Sequence, residues 1–239
     1  MHLLRSISDS PTFNCALEEY LLTERPFRDV LLFYINRPSV IVGRNQKIEA
    51  EVNTEYCRLH GIEVIKRISG GGTVYHDYGN INYSFIVDKT GSAVLDRDFG
   101  TPLTAALASL GIPTAVGARK ELLTADGYKI SGTAAHITRD SQLFHGTLLY
   151  RSDLTVLKKT LQGDHTLRGR SVASVSSPVT NLSVYRPEHE TTEEFLALLC
   201  QFFEGYYQTD PIQPISTSTI RNVKQLLEEK EQTTHQIFE

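Results

Sequence analysis

Apolar residues along the chain follow two periods, and each change of period marks an element. After Ser8-Asp9-Ser10-Pro11, apolar residues stand at Phe13, Ala16, Leu17, Tyr20 and Leu21. That spacing predicts a helix with Ser10 as its N-cap and Pro11 in its first turn. Residues 30–34 and 39–43 read as short strands, and 49–60 as a helix stopped at Gly61. Strands at 63–68 and 74–76 flank a run of glycines, and 81–87 is a strongly β-favouring run. Residues 101–110 read as a helix ended by Gly111 and Pro113. Strands follow at 121–124, 128–137 and 142–150, turning at Asp126-Gly127 and near Arg139-Asp140. Residues 154–161, 192–207 and 218–231 have helical spacing, and the tail after Lys230 reads as polar and frayed. Strands clustered around hairpin signals predict an α/β (α+β) fold: a mixed, largely antiparallel sheet flanked by helices, without regular βαβ alternation.

Composition narrows the function class. The 239 residues suffice for one sizeable domain, and 40% hydrophobic with 22% charged residues is the balance of a soluble globular protein. A net charge of −4 does not suit a nucleic-acid-binding surface, so any basic site must be local. No apolar run approaches a membrane span, and the N-terminus lacks a signal-peptide pattern. Cys15, Cys57 and Cys200 are widely spaced with no CxxC, which argues against a disulfide scaffold or zinc site and fits a reducing cytoplasm.

The chemistry concentrates on glycines. Lys66-Arg67-Ile68-Ser69 runs straight into Gly70-Gly71-Gly72, and Thr73-Val74-Tyr75-His76-Asp77 comes next. Three glycines cost backbone entropy and pack nothing, so the loop is either a hairpin turn or backbone kept close to an anionic ligand. The Walker pattern is missing, and so is a dinucleotide fingerprint, since the glycines lead into a strand and not a helix. The adjacent cations favour anion binding. Lys129 alternates with small residues beside Ser131-Gly132-Thr133-Ala134, as a solvated strand lysine or a ligand contact. His145-Gly146-Thr147 interrupts an apolar strand; the histidine is a packing residue or a site residue, and Gly146 suggests close approach by another group. Gly43-Arg44-Asn45 ends a strand, as surface turn or site, and residues 167–174 form a local basic loop.

Taken together, RISGGGTVYHDYGNINYSF, KISGTA and FHGTLL, in that order, resemble the blocks of the lipoate–protein ligase family within the biotin/lipoate ligase group. NCALEEYLL, VIVGRNQ and RSVASVSSPVTNL resemble further blocks, so the likeness covers about residues 10–185. It implies a catalytic domain over 1–215, with 216–239 a C-terminal helix and tail resembling a truncated linker. It also implies a cytoplasmic enzyme that uses ATP and Mg²⁺ to turn lipoate into lipoyl-AMP. The lipoyl group then passes to a lysine of an apo lipoyl domain, from a 2-oxoacid dehydrogenase or the glycine-cleavage H protein.

By the same resemblance, Lys129 contacts the carboxyl and α-phosphate. Arg67, Ser69, Gly70, Gly71 and Gly72 wrap the acyl-adenylate, and Val74, Tyr75 and His76 line its site. His145, Gly146 and Thr147 line the lipoyl and phosphate end. Gly43, Arg44 and Asn45 sit near the pyrophosphate or lipoyl tail, and Asn181 holds the 171–174 loop over the nucleotide.

Two departures stand out. Lys120-Glu121 replaces the family's Asn-Asp pair, leaving Glu121 as a weak metal candidate, and the chain stops at Glu239 without the aromatic-rich sequence of an accessory domain. A separate accessory subunit is one expectation from this. The alternatives are a lipoate-binding module that needs such a partner, or an octanoyl/lipoyl acyltransferase of the same fold, which would need a cysteine nucleophile. Positions 115–128 and 142 carry no cysteine, and each of the three that exist reads as a small buried hydrophobe. A biotin ligase is disfavoured by the missing GRGRxGR-type loop and the absence of tryptophan.

Overall fold

The computed structural model describes residues 1–91, 95, 97–186 and 190–237. Strand β1 (His2–Arg5) precedes helix α1 (Pro11–Thr23), β2 (Val30–Tyr34), β3 (Ser39–Val42), and the short helices α2 (Ile48–Glu51) and α3 (Thr54–Leu59). Then come β4 (Glu63–Lys66), β5 (Val74–His76), β6 (Asn80–Asp88) and α4 (Gly100–Ser109). Next are β7 (Thr114–Val116), β8 (Leu122–Thr124), β9 (Lys129–Ser131), β10 (Thr133–Ile137) and β11 (Ser141–Leu149). Helices α5 (Leu154–Thr160) and α6 (Thr192–Tyr207), strand β12 (Gln213–Pro214) and helix α7 (Thr217–Ile237) complete the described elements.

The main sheet is mixed and six-stranded, in the order β10-β11-β6-β2-β1-β12. Pairing is antiparallel from β10 to β2 and parallel from β2 to β12. Its strands alternate, and the two faces bury different layers. Leu31, Phe33, Tyr83, Phe85 and Phe144 face α4 and α6, where Leu103, Phe195, Leu199 and Phe203 meet them. Leu32, Tyr34, Ile86 and Leu143 face α1 and α7, meeting Phe13, Leu17, Leu21 and Val223. Each fully buried side chain of this size contributes roughly 1.5–3 kcal/mol. Two three-stranded sheets, β4-β3-β5 and β7-β8-β9, sit beside the main one.

Ser10 caps α1, accepting from the Phe13 amide, with Pro11 at the first position. Four elements differ from the sequence pattern. The helix expected over 49–60 breaks at Val52-Asn53, because Asn53 leaves helical geometry to cap α3 through the Tyr56 amide. The strand expected over 128–137 breaks at Gly132, where the chain leaves the β7-β8-β9 sheet for the main one. The terminal helix extends to Ile237, past the Lys230 at which the sequence pattern ends. β1 is too short to show a period and is a strand because it pairs with β2.

Candidate active site

Two cavities, of about 310 Å³ and 800 Å³, open on either side of one wall. Thr73, Val74, Lys129, Gly132, Thr147 and Ser174 line both. The smaller runs inward past Ile41, Tyr34 and Cys15, with Glu18 and His145 also in its wall. The larger is bordered by Leu154, Leu157 and Val179 together with Lys158, Arg168 and Ser177.

The glycine loop forms part of the smaller cavity's wall, and its conformation is imposed by neighbours. A Cβ on Gly43 would lie 2.1 Å from the Gly71 carbonyl oxygen, so only glycine lets the two segments meet. Arg67 is buried under the loop. Its Nη2 donates to the Gly70 and Gly72 carbonyls at 2.6 and 2.8 Å, its Nη1 to the Ile41 carbonyl and its Nε to Ser69 Oγ. At least four of the five guanidinium N–H groups are thus spent on the protein. Arg67 therefore clasps the loop from beneath while also lining the smaller cavity. Among the described residues, the amides of Gly70, Gly71 and Gly72 donate to no protein acceptor. Consecutive free amides of this kind form an anion-binding concavity.

Lys129 stands where the two cavities meet. The far end of the 164–179 strap fixes its backbone: its amide donates to the Pro178 carbonyl at 2.9 Å, and its carbonyl accepts from Thr180. No carboxylate lies within ion-pair distance of its ammonium among the described residues. Burial lowers its pKa below the ordinary lysine range, Arg119 adding to the effect and Glu121 opposing it. The other fixed charges on the smaller cavity are compensated. Arg119 pairs with Glu121 at 3.1 Å, and Arg67 connects through Ser69 and His145 to Glu18. His76 is neutral near pH 7, because burial first, then Arg67 and His145, push its pKa down to about 3. Among the described residues of the smaller cavity, Lys129 is left as the uncompensated cation.

The remaining sequence candidates separate clearly. Val74, Gly146 and Thr147 reach the cavities, and Tyr75 is buried against Val40 and Val42 with its edge on the larger one. Arg44 and Asn45 line neither, and both are exposed. Their backbones act as brackets, the Arg44 amide donating to the Ser69 carbonyl and the Asn45 carbonyl accepting from Val172. Asn181 does not hold the 171–174 segment. Its side chain clasps the amide and carbonyl of Ser152 at 3.0 and 2.9 Å. Ser174 holds that segment instead, its Oγ accepting from the Thr73 amide at 3.0 Å and from Gln46 Nε2 at 2.9 Å, while its amide donates to Glu51. Glu121 spends its carboxylate on the Arg119 side chain and amide. No cluster of three or more His, Cys, Asp or Glu groups suited to a metal occurs among the described residues.

Several site residues carried no local sequence signal. Glu18 is one; it shares a helical face with Asn14, Leu17 and Leu21, and an acid on that buried face was the available clue. Cys15 reads from sequence as a buried hydrophobe, yet it is partly accessible and lines the smaller cavity. None of the thiols is activated. Burial raises Cys15 strongly, with Glu18 adding to the effect; burial also raises Cys57, and it pushes Cys200 up to about 12. No helix among the described residues is long and apolar enough to cross a membrane.

The smaller, inward pocket and the larger, cation-bordered pocket thus meet at Lys129. The model of the lipoyl protein ligase A/B catalytic domain matches residues 10–204. Lipoate–protein ligase 1 of Staphylococcus aureus is 35% identical over 226 residues, covering 93% of this chain and 68% of that protein. Two solved structures share the fold: a lipoate-protein ligase A bound with ATP, and a bipartite lipoate protein ligase from Thermoplasma acidophilum. The first has TM-score 0.78 at 22% identity and covers 95% of both chains. The second has TM-score 0.78 at 24% identity and covers 95% of this chain and 92% of that one. The chain therefore belongs to the lipoate–protein ligase family.

Proposed function

We propose that the protein activates lipoate with ATP and transfers the lipoyl group to a lysine of an apo lipoyl domain, of a 2-oxoacid dehydrogenase or the glycine-cleavage H protein. The observation that carries this is the position of Lys129, uncompensated and shared by both cavities. The inner cavity takes the acyl chain, the outer takes the nucleotide, and carboxylate and α-phosphate meet at the lysine. A carboxylate oxygen attacks the α-phosphorus, the bond to the β-phosphate oxygen breaks, and pyrophosphate leaves. The Lys129 ammonium and the free glycine amides stabilise the charge that builds on the α-phosphate oxygens. In the second step the carrier lysine, as a free amine, attacks the lipoyl carbonyl; AMP departs, and the amine gives up a proton.

Among the described residues, the side chains do not form a magnesium cage, Glu121 included. Mg²⁺ characteristically binds through substrate phosphates with few protein carboxylates, and that is the form in which it would come to this site. The three unpaired cysteines suit a reducing compartment, which we take to be the cytoplasm. Their raised pKa values count against a thiolate acyltransferase.

The test is intact mass of a purified apo lipoyl domain incubated with the chain, lipoate and ATP. An ATP-dependent lipoyl-sized gain is expected, and Lys129→Ala should lower its rate at least about a hundredfold with the melting temperature unchanged. A gain from synthetic lipoyl-AMP alone would confine the chain to transfer and call for a separate subunit in activation. No gain from either substrate would overturn the proposal.

A further inference from the structure

A buried polar line under the glycine loop, whose Glu18 and His145 stand in the inner cavity's wall, is given no role in the proposed reaction. Ser69 Oγ lies 2.7 Å from His145 Nε2, and His145 Nδ1 lies 2.8 Å from Glu18 Oε2. The order serine, histidine, carboxylate is that of a nucleophilic triad. A nucleophilic role fails on two counts. Ser69 is fully buried and lines neither cavity, and its oxygen already accepts from Arg67 Nε at 2.8 Å.

Only the two ends of the line have a fixed direction. A guanidinium only donates, and an ionised carboxylate only accepts. Ser69 Oγ can accept twice and donate once, so Arg67 alone does not set its contact to His145 Nε2; we take the Ser69 hydroxyl as the donor there, with the His145 proton on Nδ1 facing Glu18. The Tyr34 hydroxyl, at 2.9 Å, and the Ser84 hydroxyl also donate to Glu18. At the other end Arg67 draws the Gly70 and Gly72 carbonyls inward. Carbonyl and N–H point opposite ways across a trans peptide, so the Gly71 and Thr73 amides turn outward. The Thr73 amide duly reaches Ser174, and the Gly71 amide is left free.

We infer that Glu18 is a positioning residue: through His145 and Ser69 it holds Arg67 against the loop carbonyls and keeps the Gly71 amide presented to the anion. This rests on the ligase proposal for the identity of the anion, and on the hydrogen-bond geometry alone for the line itself. The test has two parts on the full chain. Long-range ¹H–¹⁵N spectra of the histidine rings report the His145 tautomer, and a proton on Nδ1 with Nε2 bare is expected. A proton on Nε2, alone or together with one on Nδ1, would overturn the inference whatever the enzyme does.

Titration with a non-hydrolysable lipoyl-AMP analogue then compares wild type, Glu18→Gln, Ser69→Ala and the double variant. Each single variant should weaken binding at least tenfold, and the double variant no further than the worse single, because both cut one line. Ser69→Ala removes a single oxygen and carries the comparison if Glu18→Gln fails to fold. Affinities within twofold of wild type, or losses that add, would overturn the inference. Failure of the wild type to bind the analogue would count against the ligase proposal instead, and the tautomer would still decide the line.

Discussion

Single residues here work by what they leave unpaired as much as by what they bind. Lys129 is left without a carboxylate partner because Glu121 is taken by Arg119 and Glu18 is tied to Arg67 through His145 and Ser69. His76 shows the same logic with a measurable consequence. Its folded pKa of about 3 lies below the ordinary 6.5, and its Nδ1 sits 2.9 Å from the Asn36 side-chain nitrogen. Between those two pH values the unfolded chain holds the extra proton, so stability is intact above about 6.5 and falls on acidification toward 3. The slope from this group is about 1.4 kcal/mol per pH unit. Urea unfolding of wild type and His76→Gln at pH 7.5 and 5.5 should therefore show the stability difference between them shrink by about that amount at the lower pH. Parallel pH profiles would show that His76 is not the titrating group.

At the scale of elements, the site lies where segments distant in sequence touch, and this governs how much of it the sequence displays. The glycine loop was legible because residues of one chemical kind stand together, whereas Lys129 and His145-Gly146, open to other readings alone, were picked out by the family blocks that hold them. Glu18, Arg119 and Ser174 were not, because each acquires its role only after α1, β8 and the 164–179 strap have packed. Asn181 and Arg44 show the opposite error: residues within recognisable blocks that the fold uses for backbone brackets. The strap itself is held to the glycine loop mainly by the Ser174 hydroxyl. Ser174→Ala should speed amide hydrogen exchange across 172–175 about tenfold, the loss of roughly 1.4 kcal/mol of local hydrogen bonding. Unchanged exchange there would mean the strap is held by something other than this contact.

Across the whole molecule, the sheet and helix content was readable from period and turn chemistry, and sheet membership was not. β9 and β10 look like one strand in sequence and belong to two sheets, because Gly132 lets the chain turn between them beside Thr147. That break puts Lys129 on one sheet and Ala134 on another, both on the inner cavity. Residues of the six-stranded sheet, of the smaller sheets and of the strap line both cavities.

On the proposed function, lipoyl and nucleotide groups occupy the two cavities with their junction at Lys129. The most direct measurement is a crystal structure with a non-hydrolysable lipoyl-AMP analogue. The expected result places the linkage within hydrogen-bond distance of Lys129 Nζ and the Gly71 amide, the dithiolane ring beside Tyr34 and Cys15, and the adenosine in the larger cavity. An analogue bound the other way round, or with its linkage away from Lys129, would contradict this assignment.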